Sequence, residues 1–282
     1  MTSRGIGSDR LDESELQGRI DSFPRWHYRF DLRGHATPIW DESRINRHTQ
    51  RRGYFFDPFV RHLGGSLAGK RVLDLGCNAG FWSLAAAESG CEFVLGVDGR
   101  QMHVDQAQLV FEAKEIDSIR YEFVLGDLFE MDWRRFGRFD VVLCLGLLYH
   151  VNKPVELLER IASVNDDLLV IDTNVSKAPG SFLEFHHESV EDPRNTLGYD
   201  LTSHPTKAAV YEMVRLFGYD VVTPKARFSD YTGASDYRDG RRKAFICSRR
   251  TSLDGFPGPI ERDTGGSLYH KLVRFLLRHA PG

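Results

Sequence analysis

Cysteine is scarce in this chain of 282 residues, and no two of Cys77, Cys91, Cys144 and Cys247 stand in a C-x-x-C spacing. That excludes a disulfide framework and a cysteine zinc site, so all four are expected as reduced thiols beside or within apolar strands. Also lacking is any apolar run long enough to span a bilayer. Met1 to Gln17 are polar with no apolar signal core, which predicts a cytoplasmic protein. Positive charge is not in excess: 37 Lys and Arg face 40 Asp and Glu, for a net charge of −3. A nucleic-acid partner held by global electrostatics is thereby disfavoured. Internal repeats and low-complexity tracts are absent. The 41% of hydrophobic residues that the composition does provide fill one sizeable core, so one domain with extensions is the natural division.

The stretch Arg71-Val-Leu-Asp-Leu-Gly-Cys-Asn-Ala-Gly-Phe-Trp82 organises that domain. Val72, Leu73 and Leu75 read as a short parallel strand covered on both faces, Gly76 and Gly80 bracket a tight turn, and a helix starts at Phe81. Such a unit offers backbone N–H groups and a positive helix end to a nucleotide-like ligand. Its spacing, Asp-x-Gly-x-x-x-Gly, is not the G-x-G-x-x-G that cradles a pyrophosphate. The next strand, Glu92 to Asp98, ends in a carboxylate about 20 residues past the turn, where this architecture hydrogen-bonds a ribose diol. An aspartate there can also cap the following helix; with Asp74 and both glycines in register, the ligand reading of Asp98 is preferred.

Val72-Leu-Asp-Leu-Gly-Cys-Asn-Ala-Gly80, Gly96-Val-Asp98, Gly126-Asp-Leu128 and Phe139-Asp-Val-Val-Leu-Cys-Leu145 together resemble the successive motifs of class I S-adenosylmethionine-dependent methyltransferases. The resemblance covers roughly residues 67 to 250. It implies an α/β fold with a doubly wound, seven-stranded Rossmann-like sheet, six strands parallel and the last reversed, and S-adenosylmethionine at the carboxyl ends of the first strands. It further implies cofactor contacts from Asp74, Gly76, Cys77, Asn78, Gly80, Phe81, Asp98, Gly99, Asp127, Leu128 and Leu145. Asp127 would meet the adenine amino group and Leu128 would flank the ring.

Two further stretches resemble one branch of that family, the tRNA wobble-uridine carboxymethyltransferases: Phe23 to Pro38, with Trp26, His27 and Tyr28, and Gly146-Leu-Leu-Tyr-His-Val-Asn-Lys-Pro154. Against the branch, Tyr149-His150 is followed by Val151-Asn152 rather than basic residues, the region before the glycine turn is short, and the chain is acidic. Asp41 to Leu63 reads as a helix that places Arg44, Arg47 and Arg51 on one face. Guanidinium groups in such a row are either solvated or an anion site, and Arg44 joins Trp26, His27 and Tyr28 as a candidate substrate contact.

Thr173 to Pro205 reads as a long functional loop carrying Glu184, His186, His187, Glu188, Glu191 and Asp192. Its histidine and carboxylate spacing fits no metal site, and no metal is expected. The expected division is a mobile tail over 1–18, an N-terminal cap over 19–66, the methyltransferase domain over 67–250, and a linker with an amphipathic basic helix over 251–282. The stripe Leu268, Leu272, Phe275 and Leu276 on that helix would pack on its own domain or on a sister subunit, as in a homodimer.

A methyl group on a sulfonium is already activated, so the protein has chiefly to position the acceptor, exclude water and, for a hydroxyl, take a proton. His150 is the natural base, Glu184 or His186 the second choice, and Tyr149 a contact for the transferred group. Three functions follow: O-methylation of a small molecule or glycoside, the RNA-modifying reaction of the wobble-uridine branch, and a non-catalytic binding module. The first is preferred.

Overall fold

Alternation of side chains along five-to-ten-residue strands sorts the apolar residues of this chain into two layers. The computed structural model describes residues 12–262. In β3 (Arg71–Leu75), Val72 faces one layer and Leu73 and Leu75 the other. In β7 (Asn165–Asn174), Leu168 and Val170 oppose Leu169 and Ile171. Strands with both faces buried belong in the middle of a sheet flanked by helices.

The sheet has eight strands. β4 (Phe93–Asp98), β5 (Tyr121–Leu125) and β6 (Phe139–Leu145) run parallel with β3 and β7, whereas β11 (Arg242–Ser248) is antiparallel to its neighbours β7 and β10 (Asp220–Pro224). The order is β12-β10-β11-β7-β6-β3-β4-β5, which contains the seven expected strands and adds a two-residue edge strand, β12 (Ile260–Glu261). One layer is closed by α1 (Glu13–Ser22), α3 (Asp57–His62), α4 (Phe81–Glu88) and α5 (Gln101–Ala113), the other by α6 (Pro154–Val164) and α7 (Lys207–Leu216). Strand order reverses between β3 and β6, and the crevice beyond their carboxyl ends is where open α/β sheets bind ligands.

Three expectations are corrected, and one segment gains an element. The tail expected over 1–18 contains the start of α1: Asp12 caps it by accepting from the Glu15 N–H at 2.7 Å, and Leu16 and Ile20 are buried. The single helix expected over 41–63 is broken into a 3₁₀ turn at Glu42–Arg44, α2 (Arg47–Arg51), a π-helical stretch at Arg52–Phe56, and α3. Pro58 has no N–H to give the carbonyl four residues back, which accounts for the widened turn just before it. The segment Phe23 to Pro38 holds a small hairpin, β1 (Asp31–Leu32) with β2 (His35–Ala36), whose turn uses Arg33 and Gly34 at φ 58° and 89°. The long loop Thr173 to Pro205 contains a second hairpin, β8 (Leu183–His187) paired with β9 (Leu201–Pro205). All four cysteines are buried free thiols. The amphipathic helix expected at Leu268 to His279 lies outside the described residues.

Candidate active site

A cavity of about 740 Å³ opens over the carboxyl ends of the central strands. Its sheet side is built by the turn after β3. Gly76 and Gly80 adopt φ 66° and 78°, and a Cβ at Gly80 would stand 3.1 Å from the Ala107 side chain, so the turn packs directly on α5. Asn78 is itself left-handed at φ 49°, and its side-chain oxygen accepts from the Ala79 N–H at 2.7 Å. Asp98, at the end of β4, accepts from the Asn78 N–H at 2.9 Å, the Arg100 N–H at 3.0 Å and Nδ1 of His103 at 3.0 Å. Asp98 thus braces the turn and the entry to α5, and it also lines the cavity. Asp127 accepts from the Phe129 N–H at 2.7 Å, and Gly99, Leu128 and Leu145 complete this side.

Across the cavity, the one-turn helix Leu148–His150 follows β6 and carries Tyr149 and His150. Nδ1 of His150 lies 2.6 Å from a carboxylate oxygen of Glu188, in the segment after β8, which leaves Nε2 without a protein partner among the described residues. The Tyr149 and His150 rings lie 3.9 Å apart between centroids. Burial, which alone would lower the His150 pKa, is outweighed by the Tyr149 oxygen and the Glu188 carboxylate, and the imidazole titrates above its ordinary value. For Tyr149, burial is likewise outweighed: His150 and the Arg242 guanidinium bring the phenol down to about 8. His204 stacks on His186 at 3.9 Å, and burial together with the His186 charge lowers it to about 4. His186 in turn lies 3.6 Å from Glu184.

Beneath these groups is a buried ionic floor. Asp172, at the end of β7, receives Arg51 at 2.5 Å, Arg242 at 2.9 Å and the Tyr237 hydroxyl at 2.5 Å. Burial opposes its ionisation, but the two guanidinium groups prevail and hold the carboxyl below the usual carboxylate range. Arg47 is clamped by Asp236, through both carboxylate oxygens, and by the Gly233 carbonyl. Arg44, Arg47 and Arg51 all reach the cavity, but each has a different carboxylate partner, Asp41 in the case of Arg44. Over the mouth lies the segment 192–197: Arg100 donates to the carbonyls of Asp192, Asn195 and Thr196, and the Leu197 side chain presses on Gly99, where any Cβ would collide.

Of the residues expected in the site, His150, Tyr149, Glu184, His186, Gly76, Asn78, Asp98, Gly99, Asp127, Leu128, Leu145, His27, Tyr28 and Arg44 line this cavity. Five do not. Trp26 is fully buried in the cap, its indole N–H donating to the Ile20 carbonyl at 3.1 Å, and it is a core plug rather than an acceptor contact. Asp74 is covered, accepts from the Ser83 hydroxyl at 2.7 Å, and is pushed up by burial to about 7. Cys77 and Gly80 are buried within the turn itself, and Phe81 stacks on Tyr28 at 5.0 Å. The groups that sequence reasoning passed over are Glu188, Arg100, Lys177, Arg194, His204 and Arg242. Glu188 was in view as one of several carboxylates of the long segment, and only the hairpin singles it out.

Residues 47–223 match a family model described as a methyltransferase domain. The chain is 31% identical over 167 residues to the ubiquinone biosynthesis O-methyltransferase of Neisseria meningitidis serogroup C (strain 053442), covering 56% of this chain and 67% of that protein. Its likeness to the enzyme of the same name from Acinetobacter baylyi (strain ATCC 33305 / BD413 / ADP1) is 30% over 123 residues, 43% of this chain and half of the other. Among solved structures, the N-terminal domain of EvdMO1 in the presence of SAH and D-fucose superposes with a TM-score of 0.65 at 23% identity, over 86% of this chain and 98% of that one. Magnesium protoporphyrin IX methyltransferase from Synechocystis PCC 6803 with bound SAM gives 0.55 at 17% identity, over 87% and 99%. At such identities the structural likeness speaks for the fold. None of these relatives singles out the wobble-uridine branch.

Proposed function

The chain belongs to the methyltransferase-domain family and is a methyltransferase dependent on S-adenosylmethionine, and from that premise we propose that it O-methylates a small-molecule acceptor, with His150 taking the acceptor's proton. The observation that carries the proposal is the His150–Glu188 pair at 2.6 Å, across the cavity from the glycine turn. The O-methyltransferase names of the relatives support the same reading.

The sheet side of the cavity suits the cofactor: a left-handed glycine turn leaves backbone in reach, and Asp98 presents a carboxylate at the distance along the chain where a ribose diol is held. Asp98 would hold that diol, and Asp127 with Leu128 would hold the adenine. When bound, the cofactor supplies a methyl group activated by its sulfonium. Glu188 fixes His150 in the tautomer with its proton on Nδ1, so Nε2 presents a lone pair. An acceptor hydroxyl placed against Nε2 would give its proton there, while Asp98 and the glycine turn would hold the cofactor that supplies the methyl group. The segment held by Arg100 covers the reacting region and limits water.

Release of S-adenosylhomocysteine in the presence of hydroxyl-bearing acceptors tests the reading. His150→Ala should lower turnover about 10²–10⁴-fold with binding of that product nearly intact and the thermal melt unchanged. Near-normal turnover of the variant across pH 6 to 9 would remove His150 from the chemistry.

A further inference from the structure

The ionic floor of the cavity is unbalanced. Three buried guanidinium groups, Arg47, Arg51 and Arg242, share two carboxylates, Asp172 and Asp236. Arg47 and Arg51 spend their donors on partners within the protein: Asp236 and Gly233 for the first, Asp172, Tyr237 and His48 for the second. Arg242 does not. Its Nε donates to Asp172 at 2.9 Å, but Nη1 has only long contacts, 3.3 Å to Asn174 and 3.4 Å to the Tyr149 hydroxyl. Nη2 has no hydrogen-bond partner among the described residues and lies over Gly146, 3.2 Å from where a Cβ would stand. Gly146, Asn174, Tyr149 and Arg242 all line the cavity. The carboxylates on the opposite wall make their contacts elsewhere, Glu188 with His150 and Glu184 with His186, and neither reaches the open donors of Arg242.

A buried cation with open donors at a cavity wall is costly unless a ligand brings the counter-charge, and a guanidinium fork matches an oxyanion. Resting on the methyl-transfer reading of this cavity, we propose that the acceptor carries an anionic group, a carboxylate or a phosphate, that docks on Arg242 beside Tyr149. At the mouth, Lys177 has no ion-pair partner among the described residues, and the exposed Arg241 has only Asp239 at 3.1 Å, so both add to an approach path for an anion. Tyr149 touches both Arg242 and His150, which sets the scale of the acceptor: its anionic end and its reacting hydroxyl flank a single aromatic ring.

The test is calorimetric binding of benzoate and of phenyl phosphate, with benzyl alcohol as the neutral control, to the full chain saturated with S-adenosylhomocysteine at fixed ionic strength. At least one anion should bind about tenfold or more tightly than the alcohol, and Arg242→Gln should remove about that factor while affinity for S-adenosylhomocysteine is kept. Tighter benzoate assigns a carboxylate and tighter phenyl phosphate a phosphate. Should Arg242→Gln fail to fold, the Lys177→Ala/Arg241→Ala variant at the mouth takes its place, with a smaller loss of anion affinity expected and its absence counting against the proposal. Equal binding of charged and neutral compounds, or anions that bind only in competition with S-adenosylhomocysteine, would overturn this inference alone. Failure of S-adenosylhomocysteine itself to bind would overturn the methyl-transfer reading and this inference with it.

Discussion

His150 owes its raised pKa to its neighbours, so its titration reports their geometry. As a base it must be neutral, and turnover should therefore climb with pH along a limb centred above the ordinary imidazole value. Glu188→Gln removes a carboxylate that favours the protonated ring, so the limb should move to lower pH as the rate falls; a pH–rate profile unmoved by the substitution would remove Glu188 from the site. The sign at Asp172 is opposite. Its folded pKa is depressed, so its contribution to stability is present above the usual carboxylate range and is lost as pH falls through that range and below. Asp172→Asn would leave Arg51 and Arg242 without their shared counter-charge and should cost about 3–5 kcal/mol in a denaturant melt. At this scale the sequence was legible where position follows spacing: Asp98 and His150 stand at fixed distances from a glycine turn and a strand end, and both line the cavity. Glu188 and Arg242 were not legible, since each acquires its role from a contact with a residue 38 or 93 positions away.

The β8–β9 hairpin and the segment after β8 bring Glu184, His186, Glu188 and His204 to the cavity. The sequence showed this region as a loop because only five residues alternate, Leu183 and Phe185 outward against Glu184 and His186, and both outward residues are exposed, at 37% and 61%. A strand with no buried apolar face lacks the near-continuous apolar run that revealed β3 to β7. The same reasoning covers the cap, where Pro58 and the Arg33–Gly34 turn break patterns that looked continuous or shapeless. The fastening of residues 192–197 by Arg100 gives an element-scale prediction. Arg100→Ala removes three donor contacts to backbone carbonyls and should raise hydrogen exchange in that segment and the acceptor KM, with the melting temperature little changed. Unaltered exchange would mean that the segment is held by Leu197 and its own turns.

At the scale of the whole molecule, the sheet was the most legible feature, because buried parallel strands write near-continuous apolar runs and the glycine turn fixes which strand is first. The two-residue edge strand β12 carries no such run and was not foreseen. Strand order puts the glycine turn and the Tyr149–His150 turn on the two sides of one crevice, and the account stands on that crevice being a shared site for cofactor and acceptor. The most direct test is a calorimetric titration of S-adenosylhomocysteine into the parent chain and into Asp98→Ala. A single site in the parent, weakened more than about tenfold by loss of a charged hydrogen-bond acceptor, is the predicted result. Equal affinity in the two proteins, or binding of a nicotinamide dinucleotide in place of S-adenosylhomocysteine, would contradict it.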